Sequence, residues 1–240
     1  MPGIARHELR YRADVDMVGT VYHPAGAPRG AVLVFPEAPG PGENVHERAD
    51  RLASTGYLAM ACDLHGEGAV YRTVDDIMPR LEALRGDMTT TRLRARAAYD
   101  ALAALGAAGV NRIAAIGFCF GGTMALELAR EGTQLAAVAG FHSGLGTPDA
   151  SRGANISCPI LVCIGADDPS IPPEQRLAFE DEMRRGAVDW TMQLYGGVVH
   201  SFTDRQAHRL GRPDFARYDA QADRQSWNAM LTLFERTLDI

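Results

Sequence analysis

Short apolar runs punctuate the sequence at residues 31–35, 58–62, 112–116, 136–140 and 159–164, with stretches of helical periodicity between most of them. A run of about five apolar residues has no polar face to turn to water, so it must be covered on both sides. Strands of that kind alternating with amphipathic helices imply a mostly parallel sheet with helices on both faces. The fold class expected is therefore α/β, as a single domain over residues 1–240.

The remaining pattern fills in that frame. Residues 45–55 read as a helix, with Val45, Ala49 and Leu52 on one face and Gly56 as its stop. Helices are also expected over 93–105, 123–130 and 174–185, and at the C-terminal end, where Trp227, Met230, Leu231, Phe234 and Leu238 share a face. Residues 7–22 read as an antiparallel edge hairpin around Asp14-Val15-Asp16. Over 188–194, Val188, Trp190, Met192 and Leu194 alternate with polar residues, as in a half-exposed strand. Residues 64–87 fit least well. Ile77, Leu81 and Leu84 suggest a helix, yet Pro79 and flanking glycines mark an excursion from the core pattern.

Composition removes several function classes. All 24 basic residues are arginine, which excludes a P-loop lysine, a Schiff-base enzyme and a lysine general base. A formal net charge of −6 with no basic run argues against nucleic acid as a partner. The N-terminal residues lack the apolar stretch of a signal peptide, and no segment is apolar for long enough to cross a bilayer. Cys62, Cys158 and Cys163 fall in or beside apolar runs, where a thiol behaves as a small hydrophobe. No cysteine pair shows zinc-ligand spacing with matching histidines. These features predict a cytoplasmic protein with no metal or organic cofactor and no nucleic-acid or membrane partner. Nothing in the sequence decides between monomer and homodimer.

The strongest chemical signal is Gly117-Phe118-Cys119-Phe120-Gly121, set between an apolar run and an Ala- and Leu-rich helix. A glycine on each side of a nucleophile lets the chain turn sharply at the top of a sheet, and the following helix aims its N-terminal amides at the site. Those amides favour a thiolate and a developing oxyanion. A thiol also needs a base, and the base needs an orienting group. Among seven histidines, His200 lies in a glycine-bearing loop after the last strand, where a base can be presented at the sheet edge. His65 and His142 both follow strand ends and are candidates for lining the substrate pocket. Gly165-Ala166-Asp167-Asp168-Pro169 follows the last apolar run and supplies two aspartates, between which chain physics does not choose. Nucleophile, acid and histidine then occur in α/β-hydrolase order.

With these residues in place, the chain resembles the dienelactone hydrolase family of carboxymethylenebutenolidases and their relatives, from about residue 10 to the C-terminus. The matching segments are Phe35-Pro36-Glu37, Gly117-Phe118-Cys119-Phe120-Gly121-Gly122, the stretch Gly165-Ala166-Asp167-Asp168-Pro169-Ser170-Ile171-Pro172, and His200-Ser201-Phe202. The resemblance implies a single-domain α/β-hydrolase fold, with Cys119, His200 and Asp168 (rather than Asp167) as the catalytic trio. It also implies that Glu37 meets the resting thiol and helps deprotonate it, and that backbone N–H groups of Phe120 and Ala38 form the oxyanion hole. Phe202 and Arg80 join His65 and His142 as expected pocket residues. One position departs from the family. Where members acting on an anionic lactone carry an arginine four residues after the catalytic histidine, this chain has Asp204, with Arg205 next. Arg72, Arg80 and Arg85 are the other cations on hand in the excursion.

The activity expected is hydrolysis of a lactone or activated small ester through a thioester on Cys119. Two other readings are a broad small-ester or thioester hydrolase without dienelactone activity, which Asp204 favours, and a redox-sensing thiol protein. A sensor has no use for a placed His–Asp pair, which counts against the last.

Overall fold

The computed structural model of the protein describes residues 4–106 and 112–238. Its N-terminal hairpin pairs β1 (Ala5–Arg12) with β2 (Asp16–His23), and β2 also pairs antiparallel with β4 (Leu58–Ala61). The apolar runs form the parallel part: β3 (Ala31–Phe35), β4, β5 (Ile113–Phe118), β6 (Val138–Phe141) and β7 (Ile160–Gly165), joined by the edge strand β8 (Trp190–Tyr195). The eight strands lie in the order β1-β2-β4-β3-β5-β6-β7-β8. The hairpin and the parallel sheet are as the sequence predicts.

Because side chains alternate along a strand, each buried strand feeds two cores. Val32 and Val34 of β3, with Ala114 and Ile116 of β5, pack beneath α1 (Glu43–Ser54) and α6 (Ala220–Thr237). Leu33 and Phe35 point the other way, toward α2 (Val74–Gly86), α3 (Met88–Ala104), α4 (Phe120–Arg130) and α5 (Pro173–Arg185). On β8, Trp190 and Met192 pack against that second core, while Leu194 is 51% exposed, so only part of the alternating stripe is covered.

The excursion is a real helix. Thr73 caps α2 by accepting the N–H of Asp76, and Leu81 and Leu84 are buried beneath it, with Pro79 inside an otherwise exposed helix. Helix α3 begins five residues earlier than its apolar periodicity suggests. The side chain of Asp87 accepts the N–H groups of Thr89 and Thr90 and starts the helix on a polar, β-branched stretch. Helix α4 likewise begins at once after Cys119, with no intervening turn.

The far end of α4 is anchored by a buried ion network. Arg130 meets both carboxylate oxygens of Glu182 at 2.7 and 2.8 Å, and Oε1 of Glu127 at 2.9 Å, with no exposed surface on its side chain. It also donates to the Leu145 carbonyl at 2.8 Å. A fork-shaped guanidinium with all these acceptors satisfied fixes α4 against α5 and the loop after β6. Removing one partner strands a buried charge. Glu182→Ala should therefore cost about 3–5 kcal/mol and lower Tm by roughly 10 °C. A loss under about 2 °C by calorimetry would contradict this role for the network.

Candidate active site

Three loops at the C-terminal ends of the parallel strands converge on Cys119. The first is the elbow itself. Cys119 has φ 54° and ψ −121°, a conformation L-residues rarely adopt. The glycines make room for it. A Cβ on Gly117 would sit inside the backbone of Gly121, and one on Gly121 would meet the carbonyls of Phe35 and Pro36. A Cβ on Gly122 would coincide with the Ser143 hydroxyl.

The second loop follows β7 and carries the acid. Asp168 is 3% exposed and Asp167 faces solvent. Oδ2 of Asp168 accepts from Nδ1 of His200 at 2.7 Å, while Oδ1 takes the N–H of Ser170 at 2.8 Å. The third loop presents His200 between Val199 and a left-handed Ser201, and the segment 215–217 holds it through two backbone hydrogen bonds. Gly165 lets this loop lie directly on the end of β7, since any side chain there would strike the carbonyls of Val198 and Val199.

The electrostatics fit a thiolate–imidazolium pair. Burial alone would push the Cys119 thiol up, but the charge and hydrogen bond of His200 overcome it. With help from the Phe120 N–H, and against the nearby Glu37, they leave the thiol below its ordinary value. Burial likewise works against a charged His200, yet Cys119 and the hydrogen-bonded Asp168 raise its proton affinity. The other thiols move the opposite way. Burial pushes Cys158 and Cys163 up to about 12, and Cys62 further still.

Glu37, in the loop after β3, is half-buried and close enough to Cys119 and Asp204 for their charges to interact. Burial, then the charge of Asp204, raises its carboxyl to about 7, against a hydrogen bond from Asn44 and the charge of Arg48. Arg48 on α1 is the buried cation of this region. It donates to Oδ1 of Asn44 and to the carbonyl of Thr203, pairs with Asp223 at 2.9 Å, and lies over the rings of Phe118 and Trp227. Sequence reasoning missed Asn44 and Arg48. The signal was available, since both fall on the same helical face as Val45, Ala49 and Leu52.

The expected pocket residues separate. His142 and Phe202 have no exposed surface, so neither lines an open pocket: both are sealed behind the elbow, with their rings 5.3 Å apart. His65 is half-buried, its Nε2 is 2.7 Å from the Ala38 carbonyl, and its ring meets Tyr71 edge-on. It holds the loop of the expected oxyanion donor Ala38. Arg80 is exposed, with its guanidinium 3.9 Å from the Tyr71 ring centroid and Nη1 on the Asp76 carbonyl, so it meets the site only through Tyr71 and His65. Arg72 and Arg85 are exposed too. Asp204, half-buried, accepts the Gln206 N–H at 2.8 Å and adds its charge to that of Glu37. Among the described residues no cluster of three or more His, Cys, Asp or Glu side chains could hold a metal ion, and no helix is long and apolar enough to cross a membrane.

An elbow, a histidine and an aspartate on one parallel sheet, in this chain order, define an α/β-hydrolase. Comparison with known proteins narrows the class. The dienelactone hydrolase family pattern matches residues 17–238, and the chain belongs to that family of carboxylic ester hydrolases. A solved dienelactone hydrolase-like promiscuous phosphotriesterase from metagenomic libraries is 40% identical, covers 98% of this chain and 99% of its own, and superposes with a TM-score of 0.93. A putative carboxymethylenebutenolidase of Escherichia coli is 26% identical over 219 residues, spanning 87% of this chain and 78% of its own. A probable 2-oxo-3-(5-oxofuran-2-ylidene)propanoate lactonase of a Bradyrhizobium species is 27% identical over 192 residues, 75% of this chain and 76% of its own.

The opposed shifts of Cys119 and His200 set a pH window. Between a lowered thiol value and a raised imidazole value the ion pair dominates, so iodoacetamide should modify Cys119 alone at pH 7 and continue to do so below the free-cysteine range of about 8.5. In His200→Asn the thiol loses its cation and its titration rises, so alkylation at pH 7 should slow about tenfold or more. Equal rates in the two proteins would exclude the pair.

Proposed function

We propose that this enzyme hydrolyses uncharged lactones and activated small esters through a thioester formed on Cys119. The observation carrying this reading is the position of His200, with Nδ1 fixed 2.7 Å from Asp168 and the ring close enough to Cys119 for its charge to lower the thiol. A base so oriented serves both halves of an acyl-transfer cycle. In acylation the Cys119 thiolate attacks the carbonyl carbon. The oxyanion is held by the Phe120 and Ala38 N–H groups, donors of a kind worth about 3 kcal/mol each. The intermediate collapses, the carbon–oxygen bond breaks, and the leaving alkoxide takes a proton from the His200 imidazolium. In deacylation neutral His200 removes a proton from water as it attacks the thioester, and the thiolate is released. Glu37 acts on this pair by charge: its carboxylate opposes the thiolate, and with a carboxyl titrating at about 7 that opposition weakens as the carboxyl takes up a proton.

The charge around Cys119 supports uncharged substrates. Glu37 and Asp204 act on one another there, and the buried cation nearby, Arg48, is already engaged by Asn44, Thr203 and Asp223. A substrate carboxylate would meet two acids, with the exposed Arg209, itself 3.8 Å from Glu43, as the other cation acting on Asp204. The same neutrality suits a phosphotriester, which is the activity named for the 40% identical relative, and this is the second reading carried forward. Four free thiols, of which three are buried, suit a reducing compartment such as the cytoplasm.

Steady-state assays with p-nitrophenyl acetate, cis-dienelactone and paraoxon should show turnover of the neutral ester, weak turnover of the anionic lactone, and loss of both in Cys119→Ala by at least about a thousandfold. Asp204→Arg should improve the anionic lactone relative to the neutral ester. Undiminished activity in Cys119→Ala would overturn the mechanism. A wild-type preference for the anionic lactone would overturn the substrate class alone.

A further inference from the structure

Directly after β6 stands His142, a fully buried imidazole that the hydrolytic scheme leaves without a task. Its backbone is left-handed at φ 42°, held there by its own N–H donating to the Cys163 carbonyl on the next strand at 2.9 Å. The ring is thereby turned toward the elbow. Nδ1 lies 3.1 Å from the backbone N of Cys119, and Nε2 lies 2.8 Å from Oγ1 of Thr203. The amide can only donate, so Nδ1 is the acceptor and carries no proton. The ring proton is then on Nε2 and points to Thr203. The ring also stands edge-on to His200, with centroids 5.1 Å apart.

His142 therefore touches both halves of the reacting pair without reaching solvent. On one side is the main chain of Cys119, in its strained conformation. On the other are the ring of His200 and, through Thr203, the loop that carries it. The Thr203 carbonyl is tied in turn to Arg48. The charged groups facing the ring are His200 and Arg48, and with burial they disfavour its protonation. A proton on Nδ1 would set one donor against another at the Cys119 amide.

We propose that His142 is a positioning residue, a strut that ties the amide of Cys119 to the Thr203–His200 loop and so holds thiol and imidazole in register. The proposal rests on the hydrolytic reading of this site, but its first readout needs no substrate. The Cys119 amide also reaches the Phe141 carbonyl at 3.0 Å, so the elbow keeps a partner when His142 is lost. The fold should survive while the register relaxes.

Three variants separate this role from packing. His142→Phe keeps a ring and loses both polar contacts. His142→Gln can keep only the contact to Thr203. His142→Asn places an amide oxygen near the Nδ1 position, and asparagine tolerates a left-handed backbone. The pH dependence of Cys119 alkylation should shift upward by about one unit in His142→Phe, with the rate at pH 7 falling roughly tenfold. His142→Asn should recover most of that loss and His142→Gln less, with kcat/KM following in the same order. A folded Phe variant whose alkylation profile superimposes on the wild type would overturn the proposal, as would Asn and Phe variants equally impaired. Should the Phe variant fail to fold, 15N NMR of the wild-type ring decides. An unprotonated Nδ1 from pH 5 to 9 supports the strut, and a ring that titrates in that range, or bears its proton on Nδ1, overturns it. If alkylation obeys these expectations while no ester is turned over, the strut stands and the hydrolytic reading falls.

Discussion

A thiol can be held at the top of this sheet only because three neighbouring positions lack a Cβ. Cys119 takes a backbone conformation that L-residues avoid, and the surrounding chain closes on it so tightly that Gly117, Gly121 and Gly122 leave no room for a methyl group. That constraint orders the rest. The strand before the elbow must be buried on both faces, and the helix after it must begin at once so that its amides face the sulfur. The far end of that helix must then be pinned, which the Arg130–Glu127–Glu182 network does. Strain at the functional position is offset by packing and ion pairing well away from it.

The second organising feature is how charge is distributed around the thiol. The charge of His200 favours ionisation of the Cys119 thiol, and Asp168 favours a protonated His200 in turn. Glu37 opposes ionisation of Cys119 and is itself opposed by Asp204, so two carboxyl groups act on one another beside a buried cation, Arg48, that is already engaged. In the proposed reading, such a site favours an uncharged acyl group over an anionic one. The charge at position 204 thus bears on the titration of Glu37 and, in the proposed reading, on the choice of substrate.

Much of this was legible in the chain itself. The apolar runs reveal the parallel sheet because burial on both faces leaves no polar alternation, and the elbow is visible because its glycines are local in sequence. Of the two adjacent aspartates, the resemblance implies Asp168, and the structure buries Asp168 on His200 while Asp167 faces solvent. What stayed hidden depends on contacts made between distant segments. His65 and His142 look alike in sequence, each following a strand, yet one is half-buried on the Ala38 loop and the other is sealed beneath the loop of Phe202. Arg48 lies on the apolar face of its helix, but the groups it meets, on α6 and the His200 loop, are far away in sequence. The capped starts of α2 and α3 escaped notice because Thr73 and Asp87 act on polar segments without apolar periodicity.

The central claim is covalent catalysis at sulfur, and the acyl-enzyme tests it most directly. Excess p-nitrophenyl acetate can be mixed rapidly with the enzyme, quenched in acid within the first turnovers, and examined by intact-protein and peptide mass spectrometry. The account predicts one added acetyl group per chain, located on Cys119, that decays on standing and is absent from Cys119→Ala. Turnover without any adduct on Cys119, or an acetyl group carried by another residue at a rate matching turnover, would contradict it.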